Sequence, residues 1–317
     1  MTERFEYVEP KALPITISDP IDRIAFIAHN CYKVSAKDHL SNFAFVSRLV
    51  RDGHLAMVEH YRFHLSCSTF ALNDLRHFNS PFIVYDIYRG RMVVSFSLRV
   101  VIENASVSEP HARKVISTLV EALPEEVRPL VSSASSLASP YDPKLITEED
   151  VWKLPEKLRE RHSWFSYMLT TDRGVTHELV RHRLCSFAQE STRYCNYSRD
   201  RFQNRIAVIK PLDYDQPGRA EVYDRAFQLS GEEYFQLLEL GAKPQEARAV
   251  LPNGLKADLC ISASLAEWRH ILELRLAPSA HPECRRVLLL VAQDMIDKGI
   301  LTKEEIESMK GVKDGSR

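Results

Sequence analysis

The chain has 317 residues, with 42 basic and 43 acidic side chains and a formal charge of −1. An apolar share of 44% and a charged share of 27% are those of a globular protein able to bury a sizeable core, and the neutral balance speaks against a polybasic nucleic-acid binder. Only 10 glycines occur, far apart, with no G-x-G-x-x-G and no G-x-x-x-x-G-K-[ST], so a bound nucleotide would have to be gripped largely by side chains.

In chain order, residues 1–18 read as a strand or extended arm. Asp19 can cap a helix that starts at Pro20, with Ile21, Ile24, Ala25 and Ala28 on one face. A second helix is expected from about Ala36 to Asp52, closed by Gly53. Residues 61–68 alternate like a strand, 92–103 are a β-rich run, and 111–123 have a helical pattern. A serine- and proline-rich connector covers 132–144. We read 72–160 as an elaboration within one domain spanning 1–317, because its own core would be small. No internal repeat is apparent. Residues 164–171 read as a strand, and Asp172 or Thr171 can cap a helix over 173–184. A long helix lies within 215–239, a short one runs from Pro244 to Val250, and two more cover 265–276 and 279–298, the last stopped by Gly299. The sum is α+β.

The six cysteines form no C-x-x-C, which suggests neither a zinc site nor a disulfide framework and implies a reducing, cytoplasmic setting. The N-terminus has no apolar core of signal-peptide length, and the longest aliphatic run, 287–292, is too short to span a bilayer, so no membrane association is expected.

The chemistry concentrates in THELVRHRLCSFAQESTRYCNYSRD, and between Glu178 and Arg205 the arginines Arg181, Arg183, Arg193, Arg199, Arg201 and Arg205 face only Glu178, Glu190 and Asp200. On a continuous helix Arg181 and Arg183 would point about 200° apart, so they could share one small ligand only if the helix ends between them. Glu178 and His182 at i,i+4 would share a face, letting the carboxylate orient the imidazole. Beyond the helix, Ser186, Ser191, Thr192, Arg193 and Tyr194 read as a loop of hydroxyls around a guanidinium, an inventory that binds phosphate without glycines. Each part alone is more often a solvated face or a plain loop.

The joint string resembles a known family. RHRLCSFAQESTRY matches the R-H-R-x7-S signature of the flavin-dependent thymidylate synthases, here Arg181, His182, Arg183 and Ser191. LAEWRHILELRLAPSAHPECRR (265–286) looks like that family's E-W-R-H segment, and GHLAMVEH (53–60) like its G-H-x-x-x-x-E-H. The resemblance covers about 19–70 and 164–300. It implies a homotetramer with the family's α+β fold and active sites shared between subunits. It implies FAD as cofactor, with dUMP converted to dTMP by methylenetetrahydrofolate and NADPH. By resemblance, Arg181, His182, Arg183, Gln189 and His270 contact FAD. Glu178, Arg181, Gln189, Ser191, Arg193, Arg248 and Arg275 contact dUMP, and His54 and Glu59 lie at the folate and flavin side.

Arg275 is the expected catalytic residue. It follows Leu265, Trp268 and Leu272 at helical spacing, so it emerges at the end of an apolar face, where it could otherwise pair with Glu273 or Glu283. Making uracil C5 nucleophilic builds negative charge on the ring, which a fixed guanidinium in a water-poor pocket stabilises. No cysteine nucleophile is needed, despite Cys185 and Cys195 nearby, and no metal is expected, since His54, Glu59 and His60 lack ligand spacing. Ser264 and Ala266 stand where the family often has Asn and Arg. The alternatives are C5 methylation of another uridine nucleotide such as UMP, or a non-catalytic nucleotide- or nucleic-acid-binding relative.

Overall fold

The computed structural model describes residues 3–32, 38–131, 138–199 and 202–311; the expected helix start at Ala36, residues 132–137 of the serine-rich connector, and Asp200 and Arg201 lie outside them. Two four-stranded antiparallel sheets organise the chain into an α+β architecture. The first holds β3 (Phe63–Ser68), β4 (Ile83–Tyr88), β5 (Arg91–Phe96) and β6 (Lys144–Ile146), in the order β4-β5-β3-β6. The second holds β2 (Lys11–Pro14), β7 (Trp164–Asp172), β8 (Ser186–Gln189) and β10 (Lys256–Ser264), in the order β8-β10-β7-β2. The N-terminal arm also supplies β1 (Phe5–Val8), which runs parallel to β9 (Ile206–Ile209). Among the described residues no helix is long and apolar enough to cross a membrane.

Each sheet buries one face under helices. Against the first lie α1 (Pro20–Tyr32), started at Asp19 by a side-chain bond to the amide of Asp22 (2.8 Å), and α5 (Pro110–Ala122). Val115, Ile116 and Leu119 of α5 join Leu65, Val94 and Phe96 of the sheet in one cluster. Against the second lie α11 (Leu265–Leu276) and α12 (Pro282–Asp297), with Trp268 fully buried at the centre. A third cluster forms where α9 (Arg219–Glu239) crosses the β1–β9 pair through Phe227, Tyr234 and Phe235. Gly231 permits that crossing: a Cβ there would lie 2.7 Å from the carbonyl oxygen of Arg4.

Four expectations change. The run 92–103 is strand only to Phe96; Ser97 leaves the sheet and α4 (Leu98–Glu103) follows. The helix expected over 173–184 is α8 (Arg173–Leu179), which ends before the R-H-R triplet. The expected hydroxyl loop begins as β8, so Ser186 is a strand residue. The core around 72–160 is not small: it belongs to the cluster shared by the first sheet, α1 and α5.

A repeat that the sequence hides is visible in the topology. Reading β4-β5-β3-β6 beside β8-β10-β7-β2, each strand has a counterpart with the same antiparallel neighbours. Register agrees as well. Phe63 faces Phe96 and His64 faces Ser95; Phe165 faces Ala263 and Ser166 faces Ser262. After β3 comes α3 (Ala71–His77), and after β7 comes α8. S-F-S-L (95–98) leads into α4 as S-A-S-L (262–265) leads into α11. Helices α5 and α12 both open on proline and bury matching positions: Ala112, Val115, Ile116 and Leu119 against Cys284, Val287, Leu288 and Val291. The identities are too few for the string to show the repeat, because burial fixes size and polarity at these positions but not residue type.

Candidate functional site

Asp172 caps α8 by accepting from the amide of Val175 (2.7 Å), and the helix closes at Val180. Glu178 lies in its last turn. The chain then turns so that the amide of His182 reaches the carbonyl of Leu179 (3.1 Å). Glu178 and His182 therefore do not share a helical face, and the carboxylate does not orient the imidazole directly. Arg275, from the end of α11, joins them instead. It donates to the Glu178 carboxylate (Nη1, 3.1 Å), to the Glu178 carbonyl (Nη2, 2.8 Å) and to His182 Nε2 (Nε, 3.1 Å). A guanidinium has no acceptor, so His182 must accept at Nε2 and carry its ring proton on Nδ1, towards Glu267 at 3.7 Å. Neither Glu273 nor Glu283 takes Arg275; Glu283 accepts from the amide of Leu212 (2.7 Å). Three of the five N–H groups of Arg275 are committed and the guanidinium plane is fixed, with the side chain about one-fifth exposed.

Around this clamp the expected residues fall into groups. The His270 ring lies edge-on to His182, 5.8 Å between centroids, and is itself exposed. Arg181 and Arg183 are exposed and form no ion pair among the described residues. Gln189, at the end of β8, donates to Thr176 Oγ1 on α8 (3.1 Å). The amide of Ser191 reaches the carbonyl of Cys31 (3.2 Å), which ties the loop to α1. Arg193 reaches Gln245 (3.2 Å) on α10 (Pro244–Ala247), and Arg248 reaches Thr192 (3.5 Å). Glu178, His182, His270 and Arg275 thus form one group; Arg193 and Arg248 form a second beside the Ser191 loop.

Glu59 is buried at the end of a single 3-10 turn (Met57–His60). One carboxylate oxygen accepts from Arg99 of α4, and the other accepts from Ser186 Oγ at 2.8 Å. His54 is exposed and joins none of these groups. His60 turns away, its Nδ1 at 2.7 Å from Ser262 Oγ, so His54, Glu59 and His60 do not converge on one point. Burial and the nearby Glu267 raise the Cys185 thiol far above its ordinary value, and Cys195 is fully buried, so neither is poised as a nucleophile. Ser264 caps α11 by accepting from the amide of Glu267 (3.2 Å). Arg99 and Glu267 were given no role from the sequence, and Ser186 only one among the loop hydroxyls; for Arg99 the signal was the S-x-S-L ending at both Leu98 and Leu265.

A cavity of about 710 Å³ lies elsewhere, between the two sheets, lined by Ile15, Arg23, Tyr61, His64, Glu148 and Trp164 among others. None of the expected site residues line it. The arginine face is open rather than enclosed, and exposed apolar side chains stand around it: Val180, Leu184, Tyr194 and Leu274.

Fold and site together define an α+β protein that presents a clamped arginine beside an open, arginine-bearing face suited to anions. Residues 159–298 match the family described as "Thymidylate synthase complementing protein". Among curated relatives, the flavin-dependent thymidylate synthase of Sulfolobus acidocaldarius is 32% identical over 127 residues, 40% of this chain and 47% of that one. That of Pyrococcus furiosus is 28% identical over 162 residues, 47% of this chain and 64% of that one. Over this segment the chain is similar to the flavin-dependent thymidylate synthases, and it spans about half the length of the curated relatives it matches. A solved structure of a UMP/dUMP methylase PolB from Streptomyces cacaoi, bound with 5-Br UMP, overlaps 48% of this chain and 77% of its own. It does so with 23% identity and a TM-score of 0.38, too low to carry an argument.

Proposed function

We propose that the protein is a flavin-dependent methyltransferase that converts dUMP to dTMP, using methylenetetrahydrofolate as carbon donor, NADPH as reductant and FAD as cofactor. The observation that carries this is the Arg275 clamp within the family segment. When bound, the flavin supplies the hydride chemistry, and the protein supplies geometry and electrostatics. The donor set suits FAD: Arg181 and Arg183 offer guanidinium groups for a pyrophosphate, with His182 and His270 at right angles beside them. Arg193, Arg248 and the Ser191 hydroxyl would hold the nucleotide phosphate, and Gln189 the base side of the same loop. Arg275 keeps two N–H groups for the pyrimidine edge. Because Glu178 and His182 hold its plane, it meets negative charge building on the ring without reorganising.

The open face with its apolar rim supports closure by a second copy of the chain, in the homotetramer that the resemblance implies, and a cytoplasmic setting fits cysteine spacings that suggest no disulfide framework. Tritium release from C5-labelled dUMP and UMP, with folate donor and NADPH present, tests reaction and sugar preference together. Release from dUMP is expected. No release from either, with no flavin taken up, would refute the proposal.

A further inference from the structure

The two halves are related by structure but not by equipment. In the second half, residues 190–255 lie between β8 and β10 and carry Ser191, Arg193 and Arg248. In the first half the counterpart is a two-residue turn between β4 and β5, Arg89 and Gly90, both at positive φ (48° and 74°). Where Val180 to Cys185 carry the R-H-R triplet after α8, Phe78 to Phe82 follow α3 with no arginine. Helix α4 stops at Glu103 and has no counterpart of Arg275. The first half has lost the ligand-binding apparatus but kept the frame.

The halves also cross-brace. Strand β2, ahead of the first half's helices, pairs with β7 of the second; β6, ahead of the second half's helices, pairs with β3 of the first. The histidines that precede the equivalent strands do the same. His60 bonds Ser262 of the second half, and His162, ending α7 (Glu156–His162), bonds Ser95 of the first, each at 2.7 Å. Ser95 and Ser262 are themselves equivalent. This is the reciprocal contact pattern of a two-fold pair, made within one chain.

The pair is unequal at one place. Beside the working site, Glu59 of the first half reaches Ser186 of β8, backed by Arg99. At the mirror position Arg161 takes the place of Glu59. It meets Asp86 of β4 at 2.7 Å, and His162 Nε2 also lies 3.1 Å from Asp86. Ala266 takes the place of Arg99. The mirror position is occupied by its own ion pair, Arg161 with Asp86, with His162 also in contact with Asp86.

We propose that residues 57–131 and 156–309 are two diverged copies of one unit, folded as an internal pair that keeps one of two equivalent ligand sites, with Glu59 and Arg99 of the ligand-silent copy positioning β8 of the working one. On this reading 72–131 is the body of the first copy rather than an insertion. The inference rests on the nucleotide reading above for the choice of probe. The test titrates the full chain with FAD and with dUMP, comparing wild type, Glu59→Gln with Arg99→Met, and Asp86→Asn with Arg161→Met, each also melted without ligand.

Wild type is expected to bind one FAD per chain. The Glu59/Arg99 variant should bind about 10-fold or more weakly with an unchanged melting temperature, the loss of a charge-assisted positioning contact. The Asp86/Arg161 variant should bind within about 2-fold of wild type. Arg99→Lys, which keeps the charge but not the fork that spans Glu59 and Glu103, should fall between, and stands in if the double variant does not fold. Two FAD per chain, unaltered affinity without Glu59 and Arg99, or equal loss from both pairs would overturn the inference and leave the functional reading standing. A wild-type chain that takes up neither ligand would overturn both.

Discussion

Two halves with one topology have taken opposite paths. The first pairs β4 to β5 through a two-residue turn and packs a continuous apolar core; the second opens the same connection to house residues 190–255 and spends exposed surface on arginines. The difference teaches that strand order and helix packing fix the frame, while the connections at one edge decide whether it carries chemistry.

The largest expected effect would separate the halves outright. Arg275→Ala should leave fold and bound flavin in place yet lower dTMP formation by about 10³-fold or more if, as proposed, its remaining N–H groups stabilise charge developing on the pyrimidine. Near-normal turnover in the tritium-release assay would refute its role and leave the second half as inert as the first. A different substitution asks whether the cores are equals. Ile116→Ala and Leu288→Ala occupy matching, fully buried positions, and each should cost about 2–5 kcal/mol in denaturant unfolding. If Ile116→Ala costs under about 1 kcal/mol, the first half is not a packed counterpart.

Acid sharpens the comparison further. Burial lowers both His60 and His64 to about 3, and both lie in the first half. Their unfolded values lie near 6.5, so the unfolded chain binds the extra protons. The stability they hold is full above about pH 6.5 and is lost as pH falls from there towards 3. Chemical denaturation from pH 7 to 4.5 should show this, and His64→Gln should flatten the slope by about 1.4 kcal/mol per pH unit. An unchanged slope would mean that His64 is not buried neutral. The smallest effect is expected at Cys185→Ser, where steady-state turnover should stay within about 2-fold, because the thiol is buried against Glu267 and held protonated. Complete loss would mean the chemistry uses that thiol.

Much of this was legible in the string, and the exceptions have physical causes. Helices α1, α11 and α12 could be placed closely because caps, prolines and apolar spacing agree. The motif around Arg181 to Ser191 contains His182, which the fold brings against Arg275. Strand β10 was missed although it is the spine of the second sheet. Covered on both faces, K-A-D-L-C-I-S-A-S has neither alternation nor a long aliphatic run, and Asp258 in it is held by Lys256 (2.7 Å) and Thr170 (2.6 Å). The R-H-R triplet was placed on a helix because helical residues continue past Leu179, whereas the turn is set by contacts from α11, distant in sequence. Arg99 stayed invisible because its partner Glu59 lies on a separate element, across a stretch that neither spacing nor periodicity connects.

The exchanged strands set an order of events for the growing chain. Strand β2 is synthesised before the whole of the first sheet, its partner β7 only after it, and the neighbouring β10 later still. The first sheet likewise waits for β6. Neither half can finish alone, so the nascent chain must hold an unpaired edge and exposed apolar faces until late in synthesis. Folding should therefore be slow and concerted rather than sequential, and chaperone dependence should fall most heavily on chains truncated between 146 and 256.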